Sequence, residues 1–342
     1  MKILTDIKPL IDKEIEKHIP KKGEPQILFD GCWKYFEYGG KRFRPALIAL
    51  SCEALNSNPK DTVTAGAALE IAHTFLLIHD DMEDFSETRR GKPCLHITYG
   101  IPHAINMGGY LMIKIYETLL SARKLWGLEK TMRVLDLMTE MLLITGEGQA
   151  MEIDQRDRDL SEATMEWYEK MSLHKTGYYS GGSPCAIGAV IANGNEKQIE
   201  TLKKFGFAIG IAFQIQDDIL NVTMPEEEEK TAPGTSGGGY GKDFAGDIKE
   251  GKRTLLIVHS FENANKKEKE KMKKLVGKKD VTLEEKKEVI EIMKKYGSIE
   301  FAKNYAKKIM ENAVKNLKNN IPETEGRRKL ESIAEFLIER KF

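Results

Sequence analysis

The chain has 342 residues, 41% of them hydrophobic, with 53 basic side chains balanced by 53 acidic ones. That apolar content supports a large buried core and excludes an intrinsically disordered protein; zero net formal charge excludes a general field directed at nucleic acid or an anionic membrane. Cys32, Cys52, Cys94 and Cys185 lie far apart without a C-x-x-C pair, which argues against a zinc knuckle or a disulfide framework and for free thiols in a reducing compartment.

Taken in chain order, residues 1–22 read as an amphipathic, Lys/Glu-decorated segment without the apolar block of a signal peptide. No uninterrupted apolar run approaches the ~18 residues of a spanning helix, so the expectation is a soluble, cytoplasmic protein without membrane insertion. GGKRFRP at 39–45 puts Lys41, Arg42 and Arg44 between two glycines and a helix-starting proline, where basic side chains and backbone amides can converge on an anion. Ala68, Leu69, Ala72, Phe75 and Leu76 recur at helical spacing, as do Leu202, Phe205, Ile209, Ala212 and Phe213, and both runs are apolar on several sides, predicting buried helices. Proline is absent from 103 to 183 and from 234 to 321, and alternating strand patterns are hard to find. The stretch 223–241 is too rich in Gly, Pro and like charge to pack and reads as a mobile surface loop rather than a boundary, so one domain over residues 1–342 is expected. Thr282 and Glu285 make a capping box, Gly297 is placed to end that helix before Ser298 starts another, and the lysine-rich last eighty residues read as a solvated outer layer.

Two acidic clusters stand out. IHDDMED at 78–84 ends an apolar helix with Asp80 and Asp84 one turn apart on one face, so their repulsion raises a pKa unless a metal or basic group compensates. Oxygen ligands with open positions suit magnesium. FQIQDDILN at 213–221 repeats the pattern with Asp217 and Asp218, so two apolar helices bearing Asp pairs can face each other across a cavity. Isolated basic residues lie nearby in sequence: Arg89 and Arg90 about two helical turns or a short loop beyond the first cluster, Lys175-Thr176-Gly177, and Lys242 and Lys252 around the acidic loop. Each alone is an ordinary surface charge, and His73 alone is an ordinary buried histidine.

Together, GGKRFRP, LLIHDDMED, RRGKP, AINMGGYL, EGQAMEI, HKTG, FQIQDD and GKDFAGDIKEGKRTLL resemble the trans-isoprenyl diphosphate synthases, or polyprenyl synthetases, over most of the chain. The resemblance implies an all-α, isoprenoid-synthase-type helical bundle around a deep central cavity, a homodimer, and three magnesium ions in the substrate complex. It implies that Asp80 and Asp84 hold magnesium with Asp81 supporting them and Asp217 holding a further ion. By the same resemblance Arg89, Lys175, Thr176, Gln214, Lys242 and Lys252 bind the allylic diphosphate, and Lys41, Arg44, His73 and Arg90 bind isopentenyl diphosphate. The implied reaction is ionisation of the allylic carbon–oxygen bond, attack by isopentenyl diphosphate, and proton loss to the released diphosphate.

Three positions depart from the family pattern. Asn221 replaces a frequent aspartate, as in some geranylgeranyl-type members, Gly109 stands where aspartate is common, and the 223–241 loop before Lys242 is longer than usual. Phe75 and Leu76 lie five and four residues before Asp80, where side chains can floor the cavity; a single aromatic at the earlier position resembles archaeal geranylgeranyl diphosphate synthases and predicts a twenty-carbon product. The alternatives are a farnesyl or longer-chain synthase and a non-catalytic regulatory subunit of a heteromeric synthase. A terpene cyclase has no use for the isopentenyl pocket.

Overall fold

Val63–Glu83 shows how the interior is made: Ala65, Ala67, Ala68, Leu69, Ile71 and Ala72 are all fully buried, so neighbouring helices cover it on every side. Small residues let those neighbours approach closely, while each buried Leu or Ile contributes about 1.5–3 kcal/mol. With the turn before it, this helix is long and apolar enough to cross a membrane by composition, yet 67% of its apolar window is buried inside the protein.

The computed structural model describes residues 2–223 and 244–339. In chain order the helices are α1 (Lys2–His18), α2 (Gln26–Glu37), α3 (Phe43–Glu53), α4 (Val63–Glu83), α5 (Leu95–Tyr99), α6 (Ile101–Ser121), α7 (Arg123–Trp126), α8 (Leu128–Arg156), α9 (Met165–Ser172), α10 (Ser183–Ile191), α11 (Glu196–Thr223), α12 (Gly246–Glu250), α13 (Leu255–Asn263), α14 (Lys266–Leu275), α15 (Leu283–Lys295), α16 (Ser298–Asn320) and α17 (Glu325–Glu339). A π-helical segment, Leu173–Gly182, joins α9 to α10. Among the described residues the only sheet is a ribbon of two dipeptides, Thr88–Arg89 and Lys92–Pro93. The fold is all-α, as expected.

Two hydrophobic clusters fill the molecule. The larger gathers buried residues of α1–α4, α6, α8, α10, α11 and α17; the smaller surrounds the C-terminal end of α11 with α9 and α12–α15, and Ala306 of α16 packs against both. The π-helical segment docks on α11 backbone to backbone: a methyl group at Gly210 would sit 2.8 Å from the Cα of Gly177, and Gly181 and Gly206 oppose each other in the same way. All four cysteines are buried and free, and burial pushes each thiol up to about 12. The Thr282–Glu285 capping box is present, with the Thr282 hydroxyl and Glu285 carboxylate each accepting the other's backbone N–H. Gly297 adopts φ +66° between α15 and α16, the left-handed geometry that ends a helix. The 223–241 stretch and Lys242 lie outside the described residues, Thr223 excepted, which ends α11.

Candidate active site

The first acidic cluster sits at the C-terminal end of α4, where the helix dipole disfavours carboxylates, so it survives only with cations around it. The cations come from four other parts of the chain. Arg89 directs Nε at 2.7 Å and Nη2 at 2.5 Å to Asp81 Oδ1, and reaches Asp80 at 3.2 Å. Lys175 lies 3.9 Å from Asp80 and 2.6 Å from Glu152 of α8. Arg156, one turn further along α8, bridges Glu152 at 2.5 Å and Asp84 at 2.7 Å. Lys252 reaches Asp84 at 2.9 Å, Glu250 at 2.6 Å and Asp247 at 3.9 Å.

The electrostatic consequences are directional. Burial raises the Asp84 carboxyl, but Lys252, Lys175 and Arg156 outweigh it and hold the group well below the usual carboxylate range. Glu152 is likewise brought from 4.5 to about 2, its burial overcome by Lys175, Lys252 and Arg156. Lys252 and Arg89 are desolvated yet pushed up by their acids, so both remain charged. Asp81 is fully buried; besides Arg89 it accepts the hydroxyl hydrogen of Tyr35, whose own pKa rises through burial and this neighbour. Asp81 is therefore an internal anchor for Arg89.

The second cluster is built differently. The Thr176 hydroxyl donates to Gln214 Oε1 at 2.9 Å, Gln214 Nε2 donates to Asp218 Oδ1 at 2.8 Å, and the Tyr168 hydroxyl lies 3.3 Å from Asp218 Oδ2. Burial first, then Asp247 and Asp217, push the Asp218 carboxyl well above its ordinary value. Asp217 is half-buried on the same turn. The Asn221 side-chain oxygen accepts the backbone N–H of Asp247 at 3.3 Å and its carbonyl that of Ala245 at 2.9 Å, tying the returning chain to α11. Lys252, lying between Asp84 and Asp247, joins the two clusters.

The basic pocket lies beside them. Arg44 contacts Ser180, Tyr179 and His73, and Arg90 closes on the same region, its pKa lowered by burial and by Arg89, Arg42 and Arg44. Arg90 and Gly91 are the turn of the two-stranded ribbon, with φ +55° and +72°, as a two-residue hairpin of primed type requires. The short-loop alternative for Arg89–Arg90 therefore holds, and the helical one does not. Lys41 is exposed in the loop between α2 and α3. Arg42, expected to help form an anion nest, is instead buried in ion pairs with Asp12 at 2.7 Å and Glu70 at 3.0 Å, because α1 and α4 pack their acids against it.

Below Asp80, Phe75 packs edge-on against the His79 ring with centroids 4.8 Å apart, and Leu76 is half-buried. His79 fits only because α6 carries Gly108 opposite it: a methyl there would lie 2.5 Å from His79 Nε2. Around Gly109 nothing lies within 4 Å of where a Cβ would be, so the glycine leaves open space where the family pattern has a carboxylate.

Glu152, Arg156, Asp247, Tyr35, Tyr179 and Ser180 were not singled out as site residues from the sequence. Glu152 and Arg156 carried a signal, an acid inside the EGQAMEI run with arginine one turn on; the other four contact the site through folding alone.

The sequence profile of the polyprenyl synthetases matches residues 25–293. The chain belongs to the polyprenyl synthetase family. It is similar to geranylgeranyl diphosphate synthase of Sulfolobus acidocaldarius, 34% identical over 345 aligned positions that span 99% of this chain and 97% of that protein. It is also similar to the short chain isoprenyl diphosphate synthase of Methanothermobacter thermautotrophicus, 33% identical over 100% of this chain and 98% of that protein. Among solved structures, geranylgeranyl pyrophosphate synthetase from Pyrococcus horikoshii superposes with a TM-score of 0.89 at 34% identity, covering 99% of both chains. For a polyprenyl synthetase of this kind, the placement of Asp80, Asp84, Lys175 and Lys252 in one network is the central feature of the site.

Proposed function

We propose that this polyprenyl synthetase condenses isopentenyl diphosphate head-to-tail with allylic diphosphates and stops at geranylgeranyl diphosphate. The observation that carries the reading is the adjacency of two different anion sites: acids interleaved with Arg89, Lys175 and Lys252, and beside them a pocket of Arg44, His73 and Arg90, where Arg44 is held by Tyr179, Ser180 and His73 and the acid that acts on Arg90, Glu70, is paired with Arg42. One suits a diphosphate accompanied by cations, the other a diphosphate held by protein alone.

Among the described residues, no three His, Cys, Asp or Glu side chains close on a metal by themselves. That donor set fits magnesium, which takes one or two carboxylates and completes its shell with water and phosphate oxygens. Asp80, Asp84 and Asp217 are the residues to hold it, and three bound ions would supply Lewis-acid stabilisation of the departing diphosphate. Arg89, Lys175 and Lys252 hold the allylic diphosphate in preorganised positions, Lys242 is assigned to the same diphosphate from the sequence alone, and Thr176 and Gln214 orient its oxygens. Lys41, Arg44, His73 and Arg90 hold isopentenyl diphosphate so that its double bond faces the carbon left by ionisation. The apolar wall of α4 and α6 excludes water, and Phe75, braced on His79, limits chain growth near twenty carbons.

A homodimer is part of this reading, and exposed apolar side chains on α6 and α8 support it. Ile101, Ile105, Ile113 and Leu120 of α6 and Leu128 and Leu143 of α8 are 45–70% exposed, and a second copy presenting the same side chains would cover them. Sedimentation equilibrium at micromolar protein is expected to give twice the chain mass; a monomer there breaks this point. Free buried cysteines suit a soluble, cytoplasmic setting.

The deciding experiment is a condensation assay with labelled isopentenyl diphosphate and dimethylallyl, geranyl or farnesyl diphosphate, resolving the dephosphorylated products by length. A twenty-carbon alcohol, lost on chelation and in Asp80→Ala, is expected, and Phe75→Ala is expected to lengthen it. Another dominant length overturns the product assignment. No product from folded protein overturns the enzyme reading in favour of a regulatory subunit.

A further inference from the structure

Tyr179 belongs to neither aspartate motif, yet it lies at the centre of the basic pocket. It sits in the π-helical segment four residues beyond Lys175. Its hydroxyl is 2.6 Å from Arg44 Nη2 and 3.1 Å from His73 Nδ1. The Arg44 guanidinium also lies over its ring, 4.2 Å from the centroid, and the neighbouring Ser180 hydroxyl oxygen accepts from Arg44 Nη2 at 2.9 Å.

Bond polarity determines what this arrangement does. A guanidinium only donates, so the phenol oxygen accepts from Arg44 and its own proton remains for His73 Nδ1. Burial together with Arg44, Arg90, Arg89 and Arg42 keeps the His73 ring neutral, its pKa well below the usual value. A neutral imidazole bears one N–H, and with Nδ1 accepting, that proton is on Nε2. Arg44 Nη1 lies 3.5 Å from this same Nε2, so two donors face each other without an acceptor between them. An anionic oxygen placed between them would satisfy both.

We propose that Tyr179 is a positioning residue of the basic pocket, fixing His73 as the Nε2–H tautomer and aligning it with Arg44 so that the pair presents two donors to one phosphate oxygen. The inference rests on the reading of this pocket as the isopentenyl diphosphate site. Its consequence is that a neutral histidine, which adds no charge to a pocket already rich in arginine, still contributes a directed hydrogen bond.

Tyr179→Phe tests this, because it keeps the ring beneath Arg44 and removes only the hydroxyl. With 15N-labelled histidine and the His73 signals assigned through His73→Gln, long-range proton–nitrogen spectra of the wild type at neutral pH are expected to show the Nε2–H form, and Tyr179→Phe a mixture of tautomers. The KM for isopentenyl diphosphate is expected to rise about ten-fold, the worth of one hydrogen bond in a charged pocket, with the allylic KM and kcat changing less than about two-fold. An Nδ1–H wild type, an unchanged tautomer in Tyr179→Phe, or equal rises in both KM values overturns the proposal. If the wild type fails to bind isopentenyl diphosphate, the reading of the pocket fails instead; the tautomer comparison, repeated with inorganic pyrophosphate as the probe, still decides the part of Tyr179.

Discussion

The two aspartate motifs look alike in sequence, yet their buried aspartates, Asp81 and Asp218, are held by different means. Around Asp80, Asp81 and Asp84 every carboxylate has an arginine or lysine within 3.9 Å, and the balance keeps Asp84 ionised despite its burial. Around Asp218 the hydrogen bonds come from neutral Gln214 and Tyr168, and the nearby acids Asp247 and Asp217 raise its pKa. The first motif therefore carries its own counter-charge, whereas the buried Asp218 of the second is held by neutral donors.

The largest effect that tests this contrast is in Arg89→Met, which leaves the fully buried Asp81 without its cation. Stability measured by urea unfolding is expected to fall by about 3–5 kcal/mol, the cost of stranding a buried charge. A loss below about 1 kcal/mol would show that the first motif does not depend on its internal cations.

Next is Glu152→Gln. The native carboxyl is held at about 2 instead of 4.5, so it stabilises the fold fully above the unfolded value and loses that contribution as pH falls from about 4.5 through 2. The variant is expected to be less stable at neutral pH by an amount of the order of 2 kcal/mol and to show a shallower acid limb over that interval. Parallel curves for the two proteins would remove Glu152 from the network.

The smallest effect belongs to Gln214→Leu, which takes one neutral donor from Asp218 and leaves Thr176 without its acceptor. A loss of about 1 kcal/mol is expected. A loss matching that of Arg89→Met would mean that the two motifs are held in the same way and would erase the contrast.

How much of this was legible in the chain depended on how local the cause was. The Thr282–Glu285 box and the Gly297 terminus depend on contacts within a few residues, and both are present. The acid clusters were legible because charge at the end of an apolar helix conflicts with its surroundings and marks itself. Arg42 was misread because its loop resembles an anion nest, while its partners, Asp12 and Glu70, lie 30 and 28 positions away on other helices. Tyr179 was passed over because nothing in the sequence LHKTGYYSGG announces a π-helical winding that turns it toward Arg44 and His73. Long-range partners and irregular winding are properties of the packed molecule, and periodicity does not encode them.

The glycine seam between the π-helical segment and α11 has a consequence for how such an enzyme can diversify. At Gly177, Gly181, Gly206 and Gly210 main chain rests on main chain, so no rotamer there can absorb a change in spacing. On the side of α4 and α6 the contacts are made by side chains such as Phe75 and His79, which can change with less backbone movement, except where His79 sits against Gly108. One wall behaves as a fixed jaw and the other as an adjustable one, and variants with altered product length should therefore accumulate on the second while the seam stays untouched.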